Sequence, residues 1–139
     1  MGWLGWALLS AVFAAATAIL AKIGIKGIDS NLATAIRTTV VLVFTWAIAI
    51  ALEKHGAIGA ISRRSWMFLV LSGIATGLSW LCYFRALQLG PASAVAPIDK
   101  LSVVIVIVAA WLVLGESLTP MKMVGGGLIA AGAVVLALA

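Results

Sequence analysis

Acidic residues are scarce in this chain. It has 4 Asp+Glu against 9 Lys+Arg, and charged residues together fill 9% of its 139 positions. A water-soluble domain of this size needs far more polar surface. The single cysteine, Cys82, excludes an internal disulfide. Set in an apolar run, it reads as a small buried hydrophobe. The single histidine, His55, has no second histidine or spaced cysteine to join it, so no metal site is expected. No nucleophile lies beside a base, and no glycine run leads into Gly-Lys-Ser/Thr. The chain therefore does not read as an enzyme, and no catalytic residue and no cofactor is expected. The basic residues sit at the ends of apolar runs and form no stripe. That argues against nucleic acid as a partner and for a lipid bilayer with anionic headgroups.

What the chain has is apolar length. It is 65% hydrophobic with a mean hydropathy of +1.26. Its uncharged runs are helix-length, and only helices or closed barrels satisfy their backbone in lipid. The first span is expected at about residues 3–23. Trp3 and Trp6 suit one interface, and Lys22 and Lys26 can snorkel at the other. No basic segment precedes it, so it reads as a retained span and not a cleaved signal. Asp29, Ser30 or Asn31 can cap the second span, at about 32–52. Residues 53–64 form the most polar loop, loosened by Gly56 and Gly59. The third span covers about 66–87 and ends at Gly90-Pro91. The fourth covers about 92–114, where Pro97 removes a donor and kinks the helix or loosens its first turns. Thr119 and Pro120 read as N-cap and first position of the fifth span, at about 120–138. The expected fold is all-α, a polytopic transmembrane helix bundle of five spans in a single domain over residues 1–139.

Several residues inside these spans call for an account. Gly73 and Gly77 make a small-xxx-small pair, and Gly125, Gly126, Gly127 and Gly132 also read as helix-packing positions. Asp99 and Lys100 are ionisable groups in a span, which is costly unless they face protein or water. Asp99 is a first-turn acid favoured by free N–H groups, part of a polar constriction or proton-responsive pair lining a path, or a determinant of interhelical or dimer specificity. Consecutive residues do not share a helix face, so Lys100 need not be its partner. Lys100 snorkels or meets an anion. Arg37 and Arg85 fall on the same side as Lys100, as interface anchors or as a cationic vestibule for an anionic or zwitterionic solute. Glu116 caps the fifth span with Thr119, pairs with Lys122, or takes part in proton or cation coupling. Trp80 and Tyr83 share a face, where they fill space or line a pocket with Trp46 or Trp111, and Thr76 and Ser79 add polar groups nearby.

The basic residues divide almost evenly across the membrane. Lys54, Arg63, Arg64 and Lys122 fall on the side of the N-terminus, and Lys22, Lys26, Arg37 and Arg85 on the other, joined by Lys100 if it reaches that face. The positive-inside rule therefore gives little preference. Either the short chain carries too few charges to vote, or copies insert both ways up and pair as an antiparallel homodimer.

From Arg85 onward the motifs run in order: Arg85-Ala86-Leu87-Gln88-Leu89-Gly90-Pro91-Ala92, Val95-Ala96-Pro97-Ile98-Asp99-Lys100-Leu101-Ser102, Leu114-Gly115-Glu116-Ser117-Leu118-Thr119, and Gly125-Gly126-Gly127-Leu128-Ile129-Ala130-Ala131-Gly132. This series resembles the EamA-like unit of the drug/metabolite transporter superfamily. Over the first two spans the likeness lies mainly in spacing and in Arg37. The resemblance implies a multi-pass carrier in a cell inner membrane or plasma membrane. Most relatives hold two such units in inverted orientation, so a single unit reads as an EamA-like half-transporter. The expected activity is secondary transport of a small polar metabolite or drug-like solute by alternating access. Trp80, Tyr83, Thr76, Ser79, Asp99, Lys100, Arg37 and Arg85 are the substrate-path candidates, and coupling, where present, falls to protons. The alternative is a non-transporting accessory or scaffold protein that packs through its glycine faces.

Overall fold

A computed structural model describes residues 2–139. Its elements are α1 (Trp3–Gly24), α2 (Ser30–Ala51), a 3-10 helix (Lys54–Ala60), α3 (Arg63–Leu89), α4 (Ala92–Asp99), α5 (Ser102–Leu114) and α6 (Pro120–Leu138). No strand occurs among the described residues. With α4 and α5 taken as one interrupted span, 5 helices are long and apolar enough to cross a membrane.

Local chemistry sets most helix starts. The Asp29 carboxylate accepts from the backbone N–H of Asn31 (2.9 Å) and Leu32 (3.1 Å), so α2 begins at Ser30, ahead of the expected Leu32. The Ser62 hydroxyl accepts from Ser65 N–H at 3.1 Å, which lets α3 begin at Arg63. The Thr119 hydroxyl accepts from Lys122 N–H at 3.3 Å, with Pro120 at the first turn of α6. The α5 helix stops at Gly115, whose φ of 68° is left-handed and suits glycine alone at low cost. The loop expected to be loosened by Gly56 and Gly59 is instead wound into the 3-10 helix, entered through Glu53 at φ 53°.

The fourth span is not continuous. Pro97 has no N–H to offer the carbonyl of Ser93. The discontinuity itself falls one turn later. Lys100 N–H bonds to Pro97 O, Leu101 N–H to Ile98 O, Val103 N–H to Lys100 O and Val104 N–H to Leu101 O, all at 3.0 Å. These are tight i−3 bonds of the 3-10 type, and the i−4 pattern resumes with Ile105 bonding Leu101 O at 3.4 Å.

The chain forms two compact units. One combines α1 as far as Ile23 with Leu89–Ala139; the other is Gly24–Gln88. In the first, α6 packs along α4 and α5. At buried Gly126 an added Cβ would lie 3.3 Å from the Ile107 side chain. In the second, Ser30, Thr34, Phe84 and Leu87 are buried. Hydroxyls in the spans bond back to their own helix: Thr34 to Ser30 O, Thr38 to Thr34 O, and Thr45 to Val41 O, each at 2.8 Å. That satisfies them without water, as lipid requires. Large apolar residues lie on the outside, among them Trp3, Phe44, Phe68 and Leu138. Such a surface is stable against hydrocarbon and unstable against water.

Of the glycines expected to pack, Gly126 meets a neighbour among the described residues, while Gly73, Gly77, Gly125, Gly127 and Gly132 have nothing within 4 Å of an added Cβ. One expectation is corrected. Cys82, expected to be buried, is exposed. Its position on α3 turns it away from the face that carries buried Phe84 and Leu87.

Candidate functional site

The most distinctive polar group in the second unit is Arg37. It lies about 10 Å along α2 from Ser30, inside a span. Its guanidinium carbon sits over the Trp80 ring, 4.3 Å from the centroid, and 5.3 Å from that of Phe84. Trp80 and Phe84 are four residues apart on α3 and Tyr83 lies between them, so all three fall on the face turned to α2. Tyr83 is within electrostatic reach of the same guanidinium. Both rings approach the cation as cation–π partners.

The sequence leaves Trp80 and Tyr83 to fill space or to line a pocket with Trp46 or Trp111; the group that Trp80 meets is Arg37, and Trp46 of α2 is exposed. Phe84 was missed, although its i+4 spacing from Trp80 was a signal in the sequence. Arg37, Arg85 and Lys100, read from the sequence as interface anchors or as a cationic vestibule, each have a partner of their own. Arg85 donates to Gln88 Oε1 at 3.0 Å, and Gln88 Nε2 in turn donates to the carbonyl of Ile28 at 2.6 Å. That chain of bonds ties the end of α3 to the connection before α2. Thr76 and Ser79 are exposed, and the Thr76 hydroxyl donates to Ser72 O at 2.9 Å.

In the first unit Lys100 Nζ lies 3.1 Å from Asp99 Oδ2. The sequence left their pairing open, and here the two meet. The i−3 turn at 99–101 is not regular α-helix, so consecutive side chains are free to converge. The pair is partly exposed and stands at the interruption of a span. Beyond α5, Lys122 Nζ meets Glu116 Oε2 at 3.2 Å and the carbonyl of Ser117 at 3.0 Å. Together with the Thr119 cap, this closes the turn into α6. A further bond, not foreseen from spacing, runs from Lys22 Nζ to the carbonyl of Gly90 at 2.7 Å.

Five apolar spans that carry a guanidinium and an ion pair between their ends define a multi-pass helical membrane protein set in a lipid bilayer. The model of the EamA-like transporter family matches residues 1–138, and the chain belongs to that family. It is 53% identical over 135 residues to a Sinorhizobium sp protein described as an uncharacterized transporter in cobO 3'region, covering 97% of this chain and 96% of that protein. No solved structure matches significantly. Family and relative together make this a membrane transporter and point away from an enzyme.

Proposed function

We propose that the chain is a secondary transporter that moves a small polar metabolite or drug-like solute across a cell inner or plasma membrane by alternating access. It works as an antiparallel homodimer of half-transporters and couples transport to protons. The observation that carries this reading is the Asp99–Lys100 pair at the interruption between α4 and α5. An ion pair inside hydrocarbon is expensive and is retained where it lines a solute path. A span broken at membrane depth supplies backbone groups and a flexible joint beside it. In this reading Asp99 carries the coupling, and Lys100 is its counter-charge.

Purified protein in proteoliposomes, with a pH dye trapped inside, tests this. Solute-dependent proton flux is expected, and Asp99→Asn should abolish the coupling. The rival reading is a scaffold, favoured by the unpartnered Gly73 and Gly77 on α3. Stable co-purification with an unrelated membrane protein, and no flux with any solute, would establish the scaffold and reject the carrier.

A further inference from the structure

Arg37 is a span cation without a carboxylate. The chain has 4 Asp+Glu. Asp99 and Glu116 pair with Lys100 and Lys122. Asp29 is spent on the N-cap of α2, and Glu53 stands in the connection after it. No ion pair to Arg37 occurs among the described residues. Arginine does not shed its proton in proteins, so this charge persists in the membrane.

Its neighbours make the position more specific. Trp80 and Phe84 engage the guanidinium through their π clouds. Aromatic faces stabilise the cation but carry no acceptor lone pair, so they take up none of its five N–H donors. The planar edge that matches a carboxylate or phosphate in bidentate fashion is not used by the rings. Nor does the side chain behave as an anchor. An anchoring arginine extends toward the headgroups; this one lies over a ring about 13 Å back along α3 from Leu89. Trp80 is partly exposed beside it, an apolar wall next to a fixed positive charge.

We infer that the α2–α3 face around Arg37 binds a small organic oxyanion, with its carboxylate or phosphate on the Arg37 fork and its apolar part against Trp80. This rests on the transporter reading and names the solute class it would carry. A headgroup phosphate of an anionic lipid has the same chemistry, so the test separates the two sources.

The full chain is reconstituted in phosphatidylcholine nanodiscs and titrated by calorimetry with matched probes: benzoate against benzamide, succinate against succinamide, and phenyl phosphate against phenol. The expected result is saturable binding of at least one anion, about tenfold or more tighter than its neutral partner. Arg37→Gln should remove that preference, and Arg37→Lys should keep part of it. Trp80→Phe should weaken the aromatic anions more than succinate, and it serves as the test if Arg37→Gln fails to fold. The titration is repeated with phosphatidylglycerol in the disc, and co-purified lipid is weighed by mass spectrometry. Anions that bind no better than their neutral partners in wild type overturn the inference. So does a preference that survives Arg37→Gln, or phosphatidylglycerol retained through Arg37 with no small anion bound. Counterflow in proteoliposomes is read separately. Flux of neutral or cationic solutes that ignores Arg37 rejects the anion site and keeps the carrier; anion binding with no flux of any solute rejects the carrier and keeps the site.

Discussion

Lys22 donates a 2.7 Å hydrogen bond to the carbonyl oxygen of Gly90, joining the end of α1 to the turn between α3 and α4. Gly90 precedes Pro91, where the backbone leaves one helix and α4 begins at Ala92. A carbonyl at such a break has no helical partner, and in a membrane protein it needs a donor from elsewhere. Lys22, expected to snorkel, supplies one.

Lys22→Met should therefore destabilise the fold by about 1–2 kcal/mol, the usual cost of stranding a partly buried acceptor. Lys22→Arg, which keeps a donor, should recover much of the loss. Equilibrium unfolding in mixed micelles measures both. Identical stability of the methionine variant and the wild type would show that the bond contributes nothing.

Gly126 and Gly127 are neighbours on α6 with different surroundings. A Cβ at Gly126 meets Ile107 at 3.3 Å, and one at Gly127 meets nothing within 4 Å. Gly126→Ala should be tolerated, because the flexible end of Ile107 can give way. Gly126→Leu should cost about 1–3 kcal/mol by overpacking. Gly127→Leu should leave the unfolding midpoint of the monomer unchanged. If it weakens association on crosslinking while the midpoint holds, Gly127 lies in the homodimer contact.

Asp29→Ala removes the acceptor for two N–H groups at the start of α2. The expected loss is about 1 kcal/mol. Hydrogen exchange should show fraying limited to the first turn, near Ser30 to Ala33. Protection lost along the whole of α2 would contradict a local capping role.

A two-sided reporter fused after Ala139 should give signal from both faces of the membrane in whole cells. Two or three lysines added at one terminus should shift that signal to one side. A wild-type signal from a single side would remove the antiparallel homodimer and direct attention to a partner of opposite topology.

The spans were legible because each is written locally. An apolar run of about 20 residues has one stable form in lipid, and the stops are short-range signals such as Gly90-Pro91 and Gly115. Thr119 capping α6 and Glu116 meeting Lys122 were also within reach, since both relations span only a few residues. The partner of Arg37 was not. Trp80 lies on another helix, and sequence spacing carries no information on which faces two helices turn to each other. The position of the break in the fourth span was equally hidden. Pro97 announces that a bond is missing, but the strain is relieved a turn later, along the helix that packs on α6.

By itself the sequence determined that this chain lives in a bilayer and that it crosses with five helical spans. Hydrophobic length and backbone satisfaction leave no other solution. Tertiary structure decided the partners that sequence spacing could not assign. Asp99 and Lys100 converge because the helix tightens between them, and Arg37 rests on aromatic faces because α3 turns Trp80 and Phe84 toward it. The first outcome depends on the local backbone at the break in the span, and the second on helix packing that joins residues far apart in the chain.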